Sequence, residues 1–285
     1  MRVAITGGSG RLGQYVLRAL GDQELRVLDL VAPFDQRIDF HKVDLRDLAG
    51  MQAALRDIEV VVHLGGIDRS VATDDAVTMQ VNTIGTWNVF EASMRAGVRR
   101  VIHCSSSSVT GIDQSNPGMP PCYLPIDEVH PLRPADAYGL SKRCGEQIAE
   151  SYARRGLEVM VLRPCFIAFP ELADFMAGRG GAAGRDEPMP YLRAYVGPED
   201  CARGFAAAVA LPDYTGFEAF FLAAADAFAV QPTVARLEQL YGATIPLRDP
   251  ALYQRFPQAS PVSCERAAVR MRWQPTTRWA GDRIA

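Results

Sequence analysis

The sequence predicts an α/β protein with a doubly wound parallel sheet, and two observations support this prediction. Through the first 163 residues, short apolar runs of strand length alternate with longer segments of helical periodicity. Strands and helices that alternate in this way form parallel sheets covered by helices on both faces. In addition, the first apolar run leads directly into a glycine-rich turn and a helix, which is how a βαβ unit commonly begins.

Each element is predicted from the spacing of its apolar residues. Strands are predicted at residues 3–6, 25–30, 40–43, 60–64, 100–104 and 157–163. Helices are predicted where apolar residues recur every three to four positions, at residues 12–20, 48–56, 77–96 and 137–155. Beyond residue 163 the alternation ends, although residues 198–210 and 232–241 are predicted as helices and 217–222 as a strand. Stretches rich in glycine or proline predict loops at residues 116–121 and 178–190.

The turn after the first strand contains the glycines Gly7, Gly8, Gly10 and Gly13. Glycines permit a tight turn and allow backbone N–H groups to approach a pyrophosphate, which the N-terminus of the following helix also attracts. The spacing is G-x-x-G-x-x-G and not the G-x-G-x-x-G of many dinucleotide sites. The glycines alone therefore fit a structural turn as well as a phosphate site.

Asp29 ends the second predicted strand, 22 residues after Gly7. An acid near this distance binds the ribose hydroxyls of a dinucleotide. Its carboxylate accepts hydrogen bonds from a 2'-hydroxyl and repels a 2'-phosphate, so Asp29 favours NAD over NADP. Arg11 or Arg37 would weaken this preference if either reached the ribose. The alternative is a solvated residue at a strand end, but strand, turn, helix, strand and acid together predict dinucleotide binding.

Tyr138 and Lys142 lie four residues apart in the predicted helix 137–155, so they share one helix face. A nearby ammonium lowers the pKa of a phenol, and a phenolate can then accept a proton near neutral pH. A tyrosine four residues from a lysine is usually an ordinary surface pair. The glycine turn and Asp29 favour a catalytic interpretation here.

Charge and composition predict an intracellular enzyme. The chain has 285 residues, 48% hydrophobic residues and a net charge of -3, with 30 basic residues among 33 acidic ones. Nucleic acids and anionic membranes attract clustered basic residues, so neither is a predicted partner. No apolar run approaches the length of a membrane span, and the first residues show no signal-peptide pattern. We therefore expect a cytoplasmic location.

The six cysteines predict free thiols and no metal site. They lie at positions 104, 122, 144, 165, 201 and 264, without a Cys-x-x-Cys pair or a Cys/His spacing suited to zinc. Cys165 follows a predicted strand, at the end where α/β folds bind ligands. A buried, inert thiol is the favoured interpretation of Cys165, and a reactive one is the alternative.

Several short motifs resemble those of the extended short-chain dehydrogenases/reductases, in the NAD-dependent epimerase/dehydratase group. The resemblance covers nearly the whole chain, and each motif is modest by itself. Their order and spacing carry the resemblance: residues 6–13 (TGGSGRLG), 44–45 (DL), 62–66 (VHLGG), 81–86 (VNTIGT), 105–111 (SSSSVTG), 138–142 (YGLSK) and 162–164 (LRP).

The resemblance implies a Rossmann-type dinucleotide-binding domain in residues 1–163. Residues 164–285 would be mainly a small substrate-binding portion that partly returns to the Rossmann core. The implied cofactor is NAD, with NADP less suited, and the implied partner is a small-molecule substrate. The resemblance also implies a homodimer formed through the helices at 77–96 and 137–155.

The resemblance also assigns roles to individual residues. Ser106 would bind the reacting oxygen, with Ser107 as the alternative, while Tyr138 would act as the base and Lys142 would also bind the nicotinamide ribose. The adenine would lie between Asp44 and Leu45, residues 64–66 would pass beneath the cofactor, and Asn82 would steady the active-site helix. The full set of implied cofactor contacts is Gly7, Gly10, Arg11, Leu12, Gly13, Asp29, Asp44, Leu45, Leu64, Gly65, Gly66, Asn82, Tyr138 and Lys142.

Departures from the family pattern narrow the choice of reaction and substrate. Dehydratases of this group carry an Asp-Glu pair after the catalytic hydroxyl, whereas this chain has Ser107 and Ser108, which disfavours elimination. The short segment between residues 170 and 195 suggests a small substrate. Uronate dehydrogenases are similar in their short C-terminal part, in residues 63–67 and in lacking the tyrosine that Thr110 replaces here. For an acidic ligand, the candidate partners are Arg163, Arg179, Arg185 and Arg193, with surface solvation as the alternative for each.

The predicted function is an NAD-dependent oxidoreductase. It would oxidise or reduce a hydroxyl or carbonyl group of a small sugar, a sugar acid or a similar polar substrate. One alternative is a nucleotide-sugar epimerase, which removes a hydride and returns it on the opposite face. Another is a non-catalytic dinucleotide sensor, against which the presence of Ser106, Tyr138 and Lys142 argues.

Overall fold

A computed structural model describes residues 1–69, 71, 73–112, 118–177, 190–212 and 214–280. In this part of the chain the strands are β1 (Arg2–Thr6), β2 (Glu24–Asp29), β3 (Asp39–Lys42), β4 (Val60–His63), β5 (Arg100–Cys104), β6 (Glu158–Pro164), β7 (Phe166–Ile167), β8 (Tyr195–Val196) and β9 (Phe217–Leu222). Seven of these described strands form one parallel sheet in the order β3-β2-β1-β4-β5-β6-β9, and β7 pairs with β8 in a small second sheet. The predicted fold class is confirmed.

The described helices follow most of these strands. They are α1 (Arg11–Ala19), α2 (Leu48–Ala54), α3 (Asp75–Met79), α4 (Gly85–Ala96), α5 (Ala137–Arg154), α6 (Ala173–Met176), α7 (Pro198–Ala210), α8 (Thr233–Tyr241), α9 (Pro250–Arg255) and α10 (Glu265–Met271). A π-helical turn, Gln80–Ile84, joins α3 to α4. Short 3-10 turns occur at Ser107–Thr110, Pro170–Leu172 and Pro190–Arg193. No helix of the described residues is long and apolar enough to cross a membrane.

The order of the strands predicts where a ligand would bind to the sheet. The chain runs outward from β1 to β2 and β3, then returns to the other side of β1 with β4. In open parallel sheets, ligands bind at such a reversal, outside the carboxyl ends of the strands. Thr6, the last residue of β1, pairs with Leu28 of β2 and with His63, the last residue of β4. The sequence segments that follow β1 and β4 are therefore neighbours at this edge.

The core explains why the strands are continuous apolar runs. All four residues of β4 are buried, as expected for a parallel strand covered on both faces. Buried side chains of the helices, such as Phe90 and Val89 of α4, belong to the same hydrophobic cluster as Val61 of β4. The longest helix, α5, buries one side and contributes Ala149 to this cluster.

The chain divides into two compact units. The first comprises Met1–Ser106, Ala135–Leu162 and Ala202–Ala219, and the second comprises Ser107–Pro134, Arg163–Cys201 and Phe220–Ala285. The assignment of dinucleotide binding to residues 1–163 and of substrate binding mainly to residues 164–285 stays a prediction.

The predicted element boundaries agree with the structure to within two residues, apart from the helix predicted at 77–96. That helix begins at Asp75 and is interrupted by the π-helical turn. Sequence reasoning missed α6, α9, α10 and the small sheet. Of the two predicted loops, residues 116–117 and 178–189 lie outside the described residues.

Asp200, in the first turn of α7, binds the segment that follows α10, and both belong to the second unit. It is 1% exposed. Its carboxylate accepts hydrogen bonds from the backbone N–H groups of Thr276 and Thr277 and from the Thr276 hydroxyl, each at 2.8 Å. We expect Asp200→Ala to lower the free energy of unfolding by about 3 kcal/mol or more, because the buried carboxylate is removed and its three donors lose a charged acceptor.

Urea denaturation measures this effect. Thr276→Val removes only one of the three hydrogen bonds and serves as the control, with an expected cost of about 1 kcal/mol. A cost for Asp200→Ala no larger than that of the control would contradict the prediction.

Candidate active site

The glycine-rich loop after β1 packs backbone against backbone on two sides. Gly7 has φ of +69°, and a Cβ atom there would lie 2.7 Å from the Cα of Gly65, in the loop after β4. A Cβ on Gly13, in the first turn of α1, would lie 2.4 Å from the carbonyl oxygen of Gly8 and 2.6 Å from that of Gly7. Only glycine fits these two positions, so the sequence pattern builds a cradle in which main-chain groups can approach a ligand closely.

The N-terminus of α1 opens onto this loop. Gly10 is its N-cap and supplies no side-chain acceptor for the first-turn N–H groups. Such uncapped donors, at the positive end of the helix, are a ready site for a phosphate group. Arg11 begins the helix and forms an ion pair with Asp68 at 3.5 Å, and Leu12 follows, half-buried.

Asp29, at the end of β2, is fixed beside the glycine loop. Its carboxylate accepts hydrogen bonds from the backbone N–H groups of Ser9 at 3.1 Å and Leu30 at 2.7 Å. An ionised carboxylate has about four lone-pair directions, so it can accept further hydrogen bonds from ribose hydroxyls. Arg37, which could have altered the cofactor preference, forms an ion pair with Asp35 at 2.8 Å.

We expect Asp29→Asn to lower the preference for NAD over NADP by at least about tenfold. The substitution removes the charge that repels a 2'-phosphate while keeping the size of the side chain. The measurement is the ratio of kcat/KM for the two cofactors. Asp22→Asn, at an exposed turn after α1, is the matched control, and an unchanged ratio in Asp29→Asn would contradict the assignment.

Asp44 and Leu45 follow β3. The Arg46 side chain binds the Asp44 carboxylate through Nη2 at 2.6 Å and Nε at 3.0 Å, and these hydrogen bonds hold the pKa of Asp44 below its usual value. Leu45 is half-buried, and its Cδ1 would lie 3.1 Å from a Cβ placed on Gly65. Leu45 thus packs against the loop after β4, and the predicted adenine contacts of both residues stay predictions.

A buried chain of hydrogen bonds starts at that loop. The N–H of Gly65 donates to the Thr6 hydroxyl at 3.1 Å, and this hydroxyl lies 2.7 Å from Nδ1 of His63. On its other side, Nε2 of His63 lies 3.0 Å from the Thr86 hydroxyl, which donates to the carbonyl oxygen of Asn82 at 2.5 Å. The Thr86 hydroxyl therefore accepts from Nε2–H, and Nδ1 accepts from Thr6. Burial, helped by the charge of Lys142, lowers the pKa of His63 to about 3, so this imidazole is neutral.

Asn82 extends the chain to the helix that carries the candidate base. Its side-chain amide pairs with the peptide groups of Ile67, accepting at 2.7 Å and donating at 2.9 Å. The same Nδ2 donates to the Ser141 hydroxyl at 3.1 Å, which in turn donates to the carbonyl oxygen of Tyr138 at 2.7 Å. Asn82 lies in the π-helical turn, a feature often found at functional sites. These hydrogen bonds connect Asn82 to α5, whereas its role in steadying that helix and a direct cofactor contact stay predictions.

Tyr138 and Lys142 occupy the first two turns of α5. Asp136 caps this helix by accepting from the N–H of Gly139 at 2.8 Å, and Arg69 forms an ion pair with the same carboxylate. The Nζ of Lys142 lies 5.8 Å from the centre of the Tyr138 ring. The structure therefore brings the predicted pair together on one helix face.

Lys142 is held at the end of β5. Its side chain is buried, with 7% of the residue exposed, and Nζ donates to the carbonyl oxygen of Cys104 at 3.0 Å. Burial lowers the pKa of Lys142 below its usual value. A Cβ placed on Gly66 would lie 3.7 Å from Nζ, so the loop after β4 passes beside this ammonium, with Leu64 at its start.

Ser106 is buried two residues after Cys104, and a neighbouring contact fixes its position. The Ser105 hydroxyl donates to Oε1 of Glu146 at 2.7 Å, and the Ser105 N–H donates to the carbonyl oxygen of Leu162 at 2.8 Å. Glu146 is fully buried on α5, one turn after Lys142. Sequence reasoning missed Glu146, although its spacing of four from Lys142 and eight from Tyr138 is the signal of a shared helix face.

The remaining candidates belong to the second unit. Ser107 begins the 3-10 turn, and its carbonyl oxygen accepts from the Thr110 hydroxyl at 2.8 Å. Burial raises the pKa of Cys165 to about 12, so this thiol stays protonated at neutral pH, as the inert interpretation expects. Arg163 is buried with its guanidinium 5.3 Å from the centre of the Phe221 ring. Arg179 and Arg185 lie outside the described residues.

Known proteins resemble this chain in both sequence and structure. L-arabinose 1-dehydrogenase (NAD(P)(+)) of Haloferax volcanii is 32% identical over 221 residues, which cover 74% of this chain and 84% of that protein. Uronate dehydrogenase of Pseudomonas syringae pv. tomato is 34% identical over 176 residues, so the match spans 60% of each protein. The crystal structure of a short-chain dehydrogenase/reductase superfamily protein from Agrobacterium tumefaciens with bound NAD superposes with a TM-score of 0.72 and 26% identity, covering 99% of this chain and 94% of that one.

The family assignment rests on a match longer than half of the chain. Residues 3–177 match the profile of the NAD dependent epimerase/dehydratase family. This range contains the glycine loop, Asp29, Asn82 and the Tyr138/Lys142 pair. The chain therefore belongs to the NAD-dependent epimerase/dehydratase family of extended short-chain dehydrogenases/reductases.

Proposed function

We propose that this protein is an NAD-dependent dehydrogenase that oxidises or reduces a hydroxyl or carbonyl group of a small sugar, a sugar acid or a similar polar substrate. One observation carries this proposal: the buried side chain of Lys142 lies beside Tyr138 on α5. The same unit also contains the glycine cradle after β1 and the Asp29 carboxylate at the end of β2. A phosphate cradle alone would serve a binding protein equally well. The Tyr138/Lys142 pair adds the means to move a proton.

The residues of the first unit fit NAD. The cradle of Gly7 and Gly13 leaves main-chain donors for the pyrophosphate, and the Asp29 carboxylate beside it suits ribose hydroxyls, so NADP is less suited. Other proposed contacts are Gly10, Arg11, Leu12, Asp44, Leu45, Leu64, Gly65, Gly66, Asn82, Tyr138 and Lys142. When bound, NAD supplies the acceptor or donor of the hydride.

The chain's own residues supply the acid–base chemistry. During oxidation, the phenolate of Tyr138 accepts the proton of the substrate hydroxyl, and the Ser106 hydroxyl donates a hydrogen bond to the same oxygen. The ammonium of Lys142 stabilises that phenolate by its charge and has donors left for a ribose hydroxyl beyond the one given to Cys104. During reduction, Tyr138 returns the proton. Positioned proton transfer of this kind contributes about 10² to 10⁴ in rate.

The substrate class follows from the chain and its relatives. The dehydrogenases named above act on arabinose and on uronates, and both are small polyhydroxylated molecules. Elimination of water would need an extra acid and base beside the reacting oxygen, whereas Ser107 and Ser108 stand at the corresponding positions. Plain oxidation or reduction is therefore favoured over dehydration.

An absorbance screen tests this function. The purified protein is incubated with NAD or NADP and with neutral sugars, uronates, sugar phosphates and nucleotide sugars, and both NADH and the product are measured. We expect NADH to accumulate in proportion to an oxidised sugar or sugar acid. Isomerised nucleotide sugar without net NADH would identify an epimerase instead, and NAD binding without any turnover would identify a sensor.

A homodimer is part of this proposal. Exposed apolar side chains, each at least 40% exposed, lie along α3 to α5 at Val77, Ile84, Trp87 and Leu140. The elements that carry these side chains contact one another within the first unit, so we propose that a second copy of the chain covers them together. We expect Trp87→Glu combined with Leu140→Glu to give a monomer in sedimentation velocity, while Val269→Glu, at an exposed position on α10, stays dimeric. A monomeric wild type at micromolar concentration would overturn the proposal.

We also infer a cytoplasmic location. All six cysteines are free thiols, whereas proteins of oxidising compartments commonly form disulfides. Cell fractionation with detection of the native chain tests this inference, and its recovery from an oxidising compartment would contradict it.

A further inference from the structure

Two side chains of α5 bind the end of β5. Nζ of Lys142 donates to the carbonyl oxygen of Cys104 at 3.0 Å, and Oε1 of Glu146 accepts from the Ser105 hydroxyl at 2.7 Å. Lys142 and Glu146 are about one helical turn apart, and Tyr138 lies one turn before them on the same side of the helix. The reaction proposed above uses Tyr138 and Lys142 but gives Glu146 no role.

The helix also approaches this strand closely. Gly145 of α5 lies against His103, the residue before Cys104, and a Cβ atom on Gly145 would lie 2.8 Å from Nε2 of that imidazole. Glycine permits this approach because it has no side chain. Contacts at three successive residues, 103–105, therefore fix how α5 lies along the end of β5.

The burial of Glu146 costs free energy. Its side chain is 0% exposed, and Ser105 is also buried. Removing a carboxylate from water is unfavourable, and an apolar side chain of similar size would avoid that cost. The second oxygen, Oε2, lies 3.4 Å from Nη1 of Arg143. A charged acceptor forms a stronger hydrogen bond than a neutral one, so this carboxylate holds the Ser105 side chain firmly.

The backbone of Ser105 is held as well. Its N–H donates to the carbonyl oxygen of Leu162, on the neighbouring strand β6, at 2.8 Å. The next residue is Ser106, whose hydroxyl is proposed to bind the reacting oxygen, and it is buried too. A displacement of Ser105 would therefore be passed through a single peptide bond to Ser106.

We propose that Glu146 is a positioning residue, which fixes the distance between the Ser106 hydroxyl and the phenol of Tyr138. It acts through its hydrogen bond to Ser105. The phenol belongs to α5 and the hydroxyl follows β5, so a bond between the two elements relates their positions. The inference rests on the proposed function, in which both groups contact one substrate oxygen. A misplacement of about 1 Å can lower the rate of such a reaction by about 100-fold.

Kinetics of four variants test this role: Glu146→Ala, Ser105→Ala, the combination of these two, and Glu146→Gln. We expect each alanine variant to lower kcat by about 10- to 100-fold and to change KM for NAD by less than about threefold. The combination should lose little more than either single variant, because both remove one and the same hydrogen bond. Glu146→Gln keeps an acceptor oxygen, so its kcat should stay within about threefold of the wild type.

Glu150→Gln is the matched control. Glu150 lies one turn further along α5, is exposed and forms an ion pair with Arg154 at 2.9 Å. We expect its removal to leave kcat unchanged. Ser105→Ala removes a single oxygen, so it keeps the test available if Glu146→Ala does not fold. A loss of kcat in Glu146→Gln as large as in Glu146→Ala would overturn the positioning role.

Crystal structures with NAD measure the proposed distance without turnover. We expect the separation of the Ser106 Oγ and the Tyr138 phenol oxygen to change by about 1 Å in Glu146→Ala and to keep the wild-type value in Glu146→Gln. An unchanged separation in Glu146→Ala would overturn the inference.

The two experiments separate this inference from the proposed function. If the wild type produces NADH from a sugar and both alanine variants match its kcat, the positioning role fails and the dehydrogenase stands. If no probe yields NADH but the separation changes in Glu146→Ala alone, the dehydrogenase fails, whereas the control of this distance by Glu146 stands.

Discussion

Replacing Tyr138 by phenylalanine is expected to lower turnover by about 10²- to 10⁴-fold and to leave the affinity for NAD nearly unchanged. The change removes the oxygen that we propose exchanges a proton with the substrate. It keeps the ring beside Lys142 and also the backbone carbonyl that accepts from Ser141, so α5 keeps its position. Initial rates followed by NADH absorbance, together with NAD binding followed by fluorescence, measure the two effects separately.

Tyr152→Phe is the matched control for this variant. Tyr152 lies on the same helix, and its hydroxyl donates to Glu91 at 2.6 Å. Loss of this hydrogen bond should cost stability without changing turnover. Wild-type turnover in Tyr138→Phe with the true substrate would refute the assignment of the base.

Replacing Gly13 by alanine is expected to weaken NAD binding by at least about 100-fold, because the new Cβ opens the cradle. It would meet the carbonyl oxygens of Gly8 and Gly7 at 2.4 and 2.6 Å, distances that force the loop and α1 apart. The main-chain donors then no longer converge on one phosphate position. Calorimetric titration with NAD measures the affinity, and circular dichroism shows whether the sheet and helices persist.

Gly21→Ala controls for the loss of a glycine elsewhere. Gly21 follows α1, and a Cβ there would lie 3.3 Å from its nearest neighbour, the carbonyl oxygen of Arg18. We expect this variant to bind NAD like the wild type. Equal affinities in Gly13→Ala and the wild type would show that the loop does not hold the pyrophosphate.

Local patterns in the sequence predicted the sheet and the glycine loop because their causes are local. The buried strand Val60–His63 is a continuous apolar run, and the crowding around Gly13 follows from a turn of fixed length. The pairing of Tyr138 with Lys142 required only the helical period. A local pattern also placed Asp29 at the end of its strand, whereas Asn82 was identified only through the resemblance of residues 81–86 to the family motif.

Contacts between distant segments could not be predicted in this way. His63 bonds to Thr6 only because β1 and β4 are in register, and the apolar pattern alone does not set that register. The π-helical turn falls inside a segment whose apolar spacing is that of one continuous helix. Arg236 donates to the carbonyl oxygen of Leu192, 44 residues away in the chain, and no motif joins them.

The buried series of hydrogen bonds from Gly65 to Asn82 runs in one direction from donor to acceptor. Every hydrogen along it points away from the loop and toward the π-helical turn, and the neutral imidazole of His63 allows this with a single tautomer. Reversing the order would require three side chains to reorient together, with the terminal peptide groups left mismatched. The loop after β4 and the start of α5 are thus joined through one set of oriented hydrogen bonds, so we expect a displacement of either segment to disturb the other.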